Sequence, residues 1–328
     1  MHRLVLVCLS TLVCASAGHA AEWQLQRVNT PARVNAIDTF DGDVHINAGG
    51  LWYRIAFEGG RAVLKFVDTQ PKPRVPDGAL PDGRVVTGKN DVARAWFAQP
   101  TRRYDHGILG DKIEAGSLVI ETTDGKRHEV KLEDDAVFED LEPRLADLDG
   151  DGHDKVIVVK SYLKRGSTLA VIGEKRGRYQ VIAETPPLGA PQRWLDPAGV
   201  ADFNGNGKLS IAIVRQPHVV GALELWSWSA NALHKVAEID NTANHIAGTR
   251  AIDMDAVADF DGDGIADIAV PSLDRNALRI LTFAPQPHEI ANMPLPAKAQ
   301  TNLGLVRDGK APVIVLGLAD GSLVAVRQ

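Results

Sequence analysis

The sequence predicts an all-β fold: a β-propeller of four-stranded blades, with six blades favoured and five or seven also compatible. Three observations predict it. Short apolar or alternating runs recur along the chain, separated by Gly, Asp, Asn or Pro clusters, and almost nothing has helical periodicity. One aspartate-glycine segment occurs three times, its first aspartates at Asp147, Asp202 and Asp259, so the periods are 55 and 57 residues. That length suits one blade of four strands. Finally, the two chain ends each carry part of a blade, so the ring can close on itself and leave no exposed sheet edge.

The chain opens with Arg3, an apolar run from Leu4 to Ala17, and small residues at Gly18 and Ala20. This is the order of a secretory signal peptide, with cleavage before Ala21 and a bacterial periplasmic or secreted destination. The run is shorter than the roughly 20 residues a bilayer span needs. Cys14 raises a lipoprotein leader, but Val13 stands before it where a small residue is wanted. Removing residues 1–20 leaves 308 of the 328 residues and removes both cysteines, Cys8 and Cys14. Disulfides, thiolate metal sites and a cysteine nucleophile are thereby excluded from the mature chain. The net charge of −6 becomes −7 without Arg3, which argues against a nucleic-acid partner. No later apolar stretch is long enough to span a membrane.

Residues 21–328 read as a single propeller domain. Residues 32–68 and 92–131 have the pattern of two degenerate blades, and 69–91, rich in Pro and Gly, that of a long surface connection. The three clear repeats occupy 143–285. Residues 302–328 supply about three strands of a last blade, and Trp23–Val28 supplies its outer strand.

Each repeat core is Asp-x-[Asp/Asn]-Gly-[Asp/Asn]-Gly-x-x-x. Oxygen ligands at alternate positions of a tight loop can converge on a hard cation such as Ca²⁺, and the glycines permit the positive φ that wraps the chain. An EF-hand needs a bidentate Glu at position 12 between helices; Val158, Ile213 and Val270 stand there instead, each in a β-rich run. The segments resemble FG-GAP (VCBS-type) repeats of integrin-like propellers. That resemblance implies Ca²⁺ in the loop joining the first two strands of a blade, and implies no enzymatic activity. The third loop matches fully, with Asp259, Asp261, Asp263, the Ile265 carbonyl and Asp267. The first has Asp147, Asp149, Asp151 and the His153 carbonyl, but Lys155 holds position 9, where the family pattern has an oxygen ligand. The second has Asp202, Asn204, Asn206, the Lys208 carbonyl and Ser210, with one carboxylate in total. Charge count ranks the expected affinities third, first, second. The competing reading is that these are Asp-Gly turns, which both residues favour without any ion.

The mature chain has eight histidines but no His-x-x-x-His pair, no Gly-x-Ser-x-Gly elbow and no Gly-rich phosphate loop. Arg103, His106, Arg193, Trp194, His218, His245 and Arg250 fall in loops expected on one propeller face, opposite the acidic loops. They suit an anionic or carbohydrate ligand, or a protein loop. Alternatively Trp194 packs between blades while the other side chains bind turn carbonyls. The sequence thus points to an exported, calcium-stabilised binding or scaffolding module. The alternative is a glycan lyase or hydrolase working at the channel mouth.

Overall fold

A computed structural model describes residues 22–68 and 75–328, entirely as strands and connecting turns. Residues 1–20, expected to form a signal peptide, lie outside the described residues. Six blades follow one another. Blade 1 comprises Val34–Phe40, Asp43–Ala48, Leu51–Glu58 and Arg61–Val67. Blade 2 comprises Val86–Thr87, Val92–Thr101, Glu114–Thr122 and Arg127–Lys131. Blade 3 begins with an inner strand broken into Ala136–Phe138 and Arg144–Ala146, followed by Lys155–Tyr162, Gly166–Lys175 and Arg178–Glu184. Blade 4 comprises Leu195–Ala201, Ser210–Arg215, Ala222–Ser229 and Ala232–Ile239. Blade 5 comprises Ala256–Ala258, Asp267–Pro271, Ala277–Thr282 and His288–Pro294. Blade 6 comprises Ala299–Asp308, Ala311–Leu318 and Leu323–Arg327, and its fourth strand is Gln24–Val28 from the other end of the chain. That strand runs antiparallel to Leu323–Arg327, with Leu25 opposite Val326 and Val28 opposite Leu323.

The core lies between the blades. A strand's side chains alternate faces, and here both faces are covered. Ile211 and Ile213 of blade 4 join the cluster shared with blades 2 and 3, while Ala212 and Val214 join the cluster shared with blade 5. Ile314 and Leu316 of blade 6 face blade 5, and Val313 and Val315 face blade 1. This double burial explains the continuous apolar runs of the second strands. Outer strands such as Ala232–Ile239 are only half covered.

Residues 69–91 differ from the surface connection expected of them. In the described part, Leu80 is buried with its amide on the Phe97 carbonyl, and Val86–Thr87 is the inner strand of blade 2. A two-residue strand shows no periodicity, so the flanking turn residues masked it. In blade 3, Ala136–Phe138 pairs with the end of Lys155–Tyr162 and Arg144–Ala146 with its start. Residues 139–143 therefore leave the ladder near the ring axis. Strand alternation puts the three Asp-Gly loops on one face of the ring. The loops 102–113 and 216–221 and the interblade connections 185–194 and 240–255 lie on the opposite face.

Candidate functional site

The three Asp-Gly loops share a scaffold. The first aspartate braces the turn: Asp259 accepts from the amides of Gly262 (2.7 Å) and Gly264 (3.0 Å), Asp147 from Asp151 and Gly152, and Asp202 from Asn206 and Gly207. Gly262 and Gly264 have φ of 82° and 88°, a region that disfavours any side chain. Position 9 separates the loops.

In the third loop that position is Asp267, the first residue of a buried strand. Carboxylate oxygens of Asp259, Asp261 and Asp267 lie within 4.8 Å of one another. Asp267 is fully buried; its Oδ2 accepts from the Phe260 amide (2.9 Å), and its Oδ1 has no hydrogen-bond partner in the protein. Burial, then the neighbouring Asp261 and Asp263 charges, push its pKa up to about 6. Asp263 turns Oδ1 to the Ile265 amide (2.8 Å) and stands outside this trio. An orphaned buried oxygen beside two like charges, in an all-oxygen donor set, fits a hard cation.

In the first loop, Lys155 reaches back over its own turn. Its ammonium lies 2.9 Å from Asp149 Oδ2 and 3.8 Å from Asp151 Oδ1, and donates to the His153 carbonyl (3.2 Å). Asp149 also accepts from the Trp228 indole (2.6 Å). The lysine thus carries positive charge to the place where the third loop gathers carboxylates. In the second loop Asn204 Nδ2 faces Ser210 Oγ (3.4 Å), Asn206 Oδ1 accepts from the Lys208 amide, and Asp202 is the lone carboxylate. Among the described residues, the third loop alone gathers three metal-type ligands.

On the opposite face the structure assembles part of the expected constellation. Trp194 stacks on His218 (centroids 6.3 Å, planes 4° apart) and meets His245 edge-on at 4.8 Å. His245 Nε2 lies 3.0 Å from the Thr249 carbonyl, which can only accept, so Nε2 carries the proton and Nδ1 accepts. His218 Nε2 lies 2.9 Å from that Nδ1 and must donate to it. Burial lowers the pKa of His218 to about 4 and that of His245 to about 3, and each is lowered further by a neighbouring histidine, His106 and His218 respectively. His106 sets Nδ1 2.5 Å from Oε1 of the fully buried Glu139. Glu139 Oε2 takes hydroxyls from Ser161 and Ser167, and its carbonyl takes the Trp194 indole N–H (3.0 Å). Burial raises the Glu139 pKa against these donors, and burial with the Glu139 charge pushes the buried Glu114 up to about 10.

The arginines predicted for this face are engaged within the fold. Arg103 pairs with Asp134 and binds the Ala136 carbonyl, Arg193 binds the Leu188 carbonyl, and Arg250 pairs with Asp82 and Asp111. Trp194 is 3% exposed, so it packs between blades rather than presenting a ring to solvent.

The ring axis holds a set of charges that sequence reasoning did not single out. Arg84 bridges Asp253 (2.8 Å), Glu142 (3.0 Å) and Asp38 (3.2 Å). Burial opposes its charge, but Asp253 and Glu142 more than offset that, and its pKa is raised. It separates a cavity of about 390 Å³ near the histidine face from one of about 490 Å³ on the other side, and lines both. Arg144 binds Asp140 at 2.5 Å. Asp196 is fully buried, and burial, reinforced by Asp255, outweighs Arg144 and raises its pKa well above the carboxylate range. Asp255 is raised likewise, by burial and then by Asp253. A sequence signal was present: an acidic residue stands six or seven positions before each loop's first aspartate, as Asp140, Asp196 and Asp253.

No family model matches the chain, and no curated protein matches it. Among solved structures, a streptogramin B lyase structure is similar over 93% of this chain and 97% of that chain, with 12% identity and a TM-score of 0.46.

Proposed function

We propose that this chain is a calcium-stabilised propeller of FG-GAP type that acts as an exported, periplasmic or secreted, binding module. The ion is held in the third loop and serves structure rather than catalysis. The observation that carries this reading is the trio Asp259, Asp261 and Asp267, with the buried Asp267 Oδ1 unpartnered. A cation there offsets the mutual repulsion of the carboxylates and fixes the first two strands of blade 5. Lys155 assigns the first loop to self-neutralisation, and the second loop has too little charge to compete. The binding surface is the face that carries the half-buried His106 and His218, with Trp194 and His245 packed beneath it. With its arginines engaged elsewhere, that face suits a neutral or weakly polar ligand, such as a carbohydrate or a protein loop, better than an anion.

One observation favours a second reading, an enzyme acting on glycans near the channel mouth. His106 holds its Nδ1 on a buried carboxylate, the arrangement that orients an imidazole for proton transfer at Nε2.

Thermal unfolding of the purified chain tests the calcium reading. Added Ca²⁺ is expected to raise Tm well above the EDTA value, Mg²⁺ is expected to do less, and Asp267→Asn is expected to shrink the difference. Equal Tm in Ca²⁺ and EDTA would sink it.

A further inference from the structure

The acidic residue preceding each loop is treated differently in the three repeats. In blade 3, Asp140 is held by Arg144 and by the amides of Leu141 and Val159. On the approach to blade 5, Asp253 is held by Arg84. In blade 4, Asp196 has no such partner. It is fully buried, neither carboxylate oxygen makes a hydrogen bond within the protein, and the nearest cation, Arg144 Nη2, stands 4.0 Å away while Nη1 of the same guanidinium binds Asp140. A charged oxygen pair without donors is among the costliest groups to bury.

Its neighbour Asn244 has the same deficit. Asn244 is fully buried in the connection between blades 4 and 5. Its Nδ2 faces three acceptors, Asp255 Oδ2 at 3.1 Å and the carbonyls of Asp196 and Pro197 at 3.4 Å each. Those acceptors fix which end of the amide is nitrogen, because the flipped amide would set oxygen against oxygen. Asn244 Oδ1 is then an acceptor with no donor in the protein. Asp255, tied to the same amide, lines the larger axial cavity together with Glu142 and Asp253. Three unpartnered buried oxygens and a second carboxylate thus lie along the seam between blades 4 and 5, and every donor is oxygen.

We propose that Asp196, Asn244 and Asp255 hold a second hard cation of the Ca²⁺ class at the wall of the axial channel, separate from the third loop. Oxygen-only donors with two carboxylates select Ca²⁺ over thiophilic or imidazole-seeking metals. The cavity beside Asp255 gives the ion a route and room for water ligands. Bound there, the ion ties the inner strand of blade 4 to the approach to blade 5, alongside the Asn244 amide.

The test is Ca²⁺ stoichiometry by equilibrium dialysis on the full-length mature chain, with Asp267→Asn silencing the loop site. The parent chain is expected to bind two ions, Asp267→Asn one, and Asp267→Asn with Asp196→Asn none. If that double variant does not fold, Asp255→Asn replaces Asp196→Asn, with the same loss expected. An Asp267→Asn chain that binds no ion overturns the channel site while leaving the loop reading intact. An Asp267→Asn chain that keeps its ion after both channel substitutions also overturns it. A parent and an Asp267→Asn chain that each bind one ion, lost with Asp196→Asn, support the channel site and reject the loop.

Discussion

Lys155 offers a direct way to ask whether a side-chain ammonium stands in for a metal ion. The substitution is Lys155→Asp in an Asp267→Asn background, so that the third loop holds no ion and only the first loop differs between variant and parent. The ammonium lies 2.9 Å from Asp149 and 3.8 Å from Asp151, and the Lys155 side chain is 10% exposed. Breaking a fully buried pair costs about 3–5 kcal/mol. Asp149 and Asp151 are 32% and 51% exposed, so water recovers part of that. A net loss of about 2 kcal/mol in EDTA is expected, increased by the new carboxylate's repulsion. In Ca²⁺ the same carboxylate completes the pattern of the third loop. With a Kd of about 10 μM and 10 mM Ca²⁺, binding returns about 4 kcal/mol. Calorimetric melting should therefore show the variant several degrees below its parent in EDTA and above it in Ca²⁺, with the crossover absent in Mg²⁺. If the variant melts with its parent in EDTA and Ca²⁺ shifts both equally, the ammonium is not substituting for an ion.

Three further outcomes are expected. His218 and His245 titrate near 4 and 3 in the fold, below the unfolded value of 6.5, so the unfolded chain binds more protons in between. Their contribution is complete above about pH 6.5 and is lost as pH falls towards 4 and then 3, His245 alone accounting for on the order of 2 kcal/mol by pH 4.5; His245→Gln should flatten this limb of the stability profile, and an unchanged limb would refute the assignment. Gly199 has φ of 146°, and a Cβ there would sit 2.5 Å from Val257 Cγ2. Gly199→Ala should cost about 1–3 kcal/mol in urea melts, whereas a neutral result would contradict the close packing of blades 4 and 5. Deleting residues up to Val28 strips the outer strand from Leu323–Arg327. The shortened chain should melt lower and scatter light as exposed edges pair, and an equally stable monomer would show that closure contributes little.

The sequence exposed those parts of the molecule whose chemistry repeats. Asp147, Asp202 and Asp259 gave the period, and the period gave the blades and the closing strand, because a turn of this type leaves the backbone few choices. The departure at Lys155 was visible as a wrong residue at position 9. Its role was not, since nothing in a linear string shows a side chain folding back over its own loop. Arg84 and Val86–Thr87 were hidden among turn formers. Glu139 and Asp196 look like ordinary polar residues beside apolar ones; only the curvature of the ring turns them inward and brings His106 or Asn244 against them. Arg103, Arg193 and Arg250 were placed on the correct face, but their partners Asp134, Leu188 and Asp82 come from separate loops with no pattern linking them.

The clasp between Gln24–Val28 and Leu323–Arg327 also sets a timetable. Of the described strands, the first to be made belongs to the last blade to be finished, so while the blades between them are made it has nothing to pair with. At about 5–20 residues per second, roughly 15–60 s separate the two halves of that pairing. Until the final strand is released, the growing chain is an open arc with one unpaired edge. The ring cannot lock before Leu323–Arg327 is free to pair, and the molecule stays threadable until then.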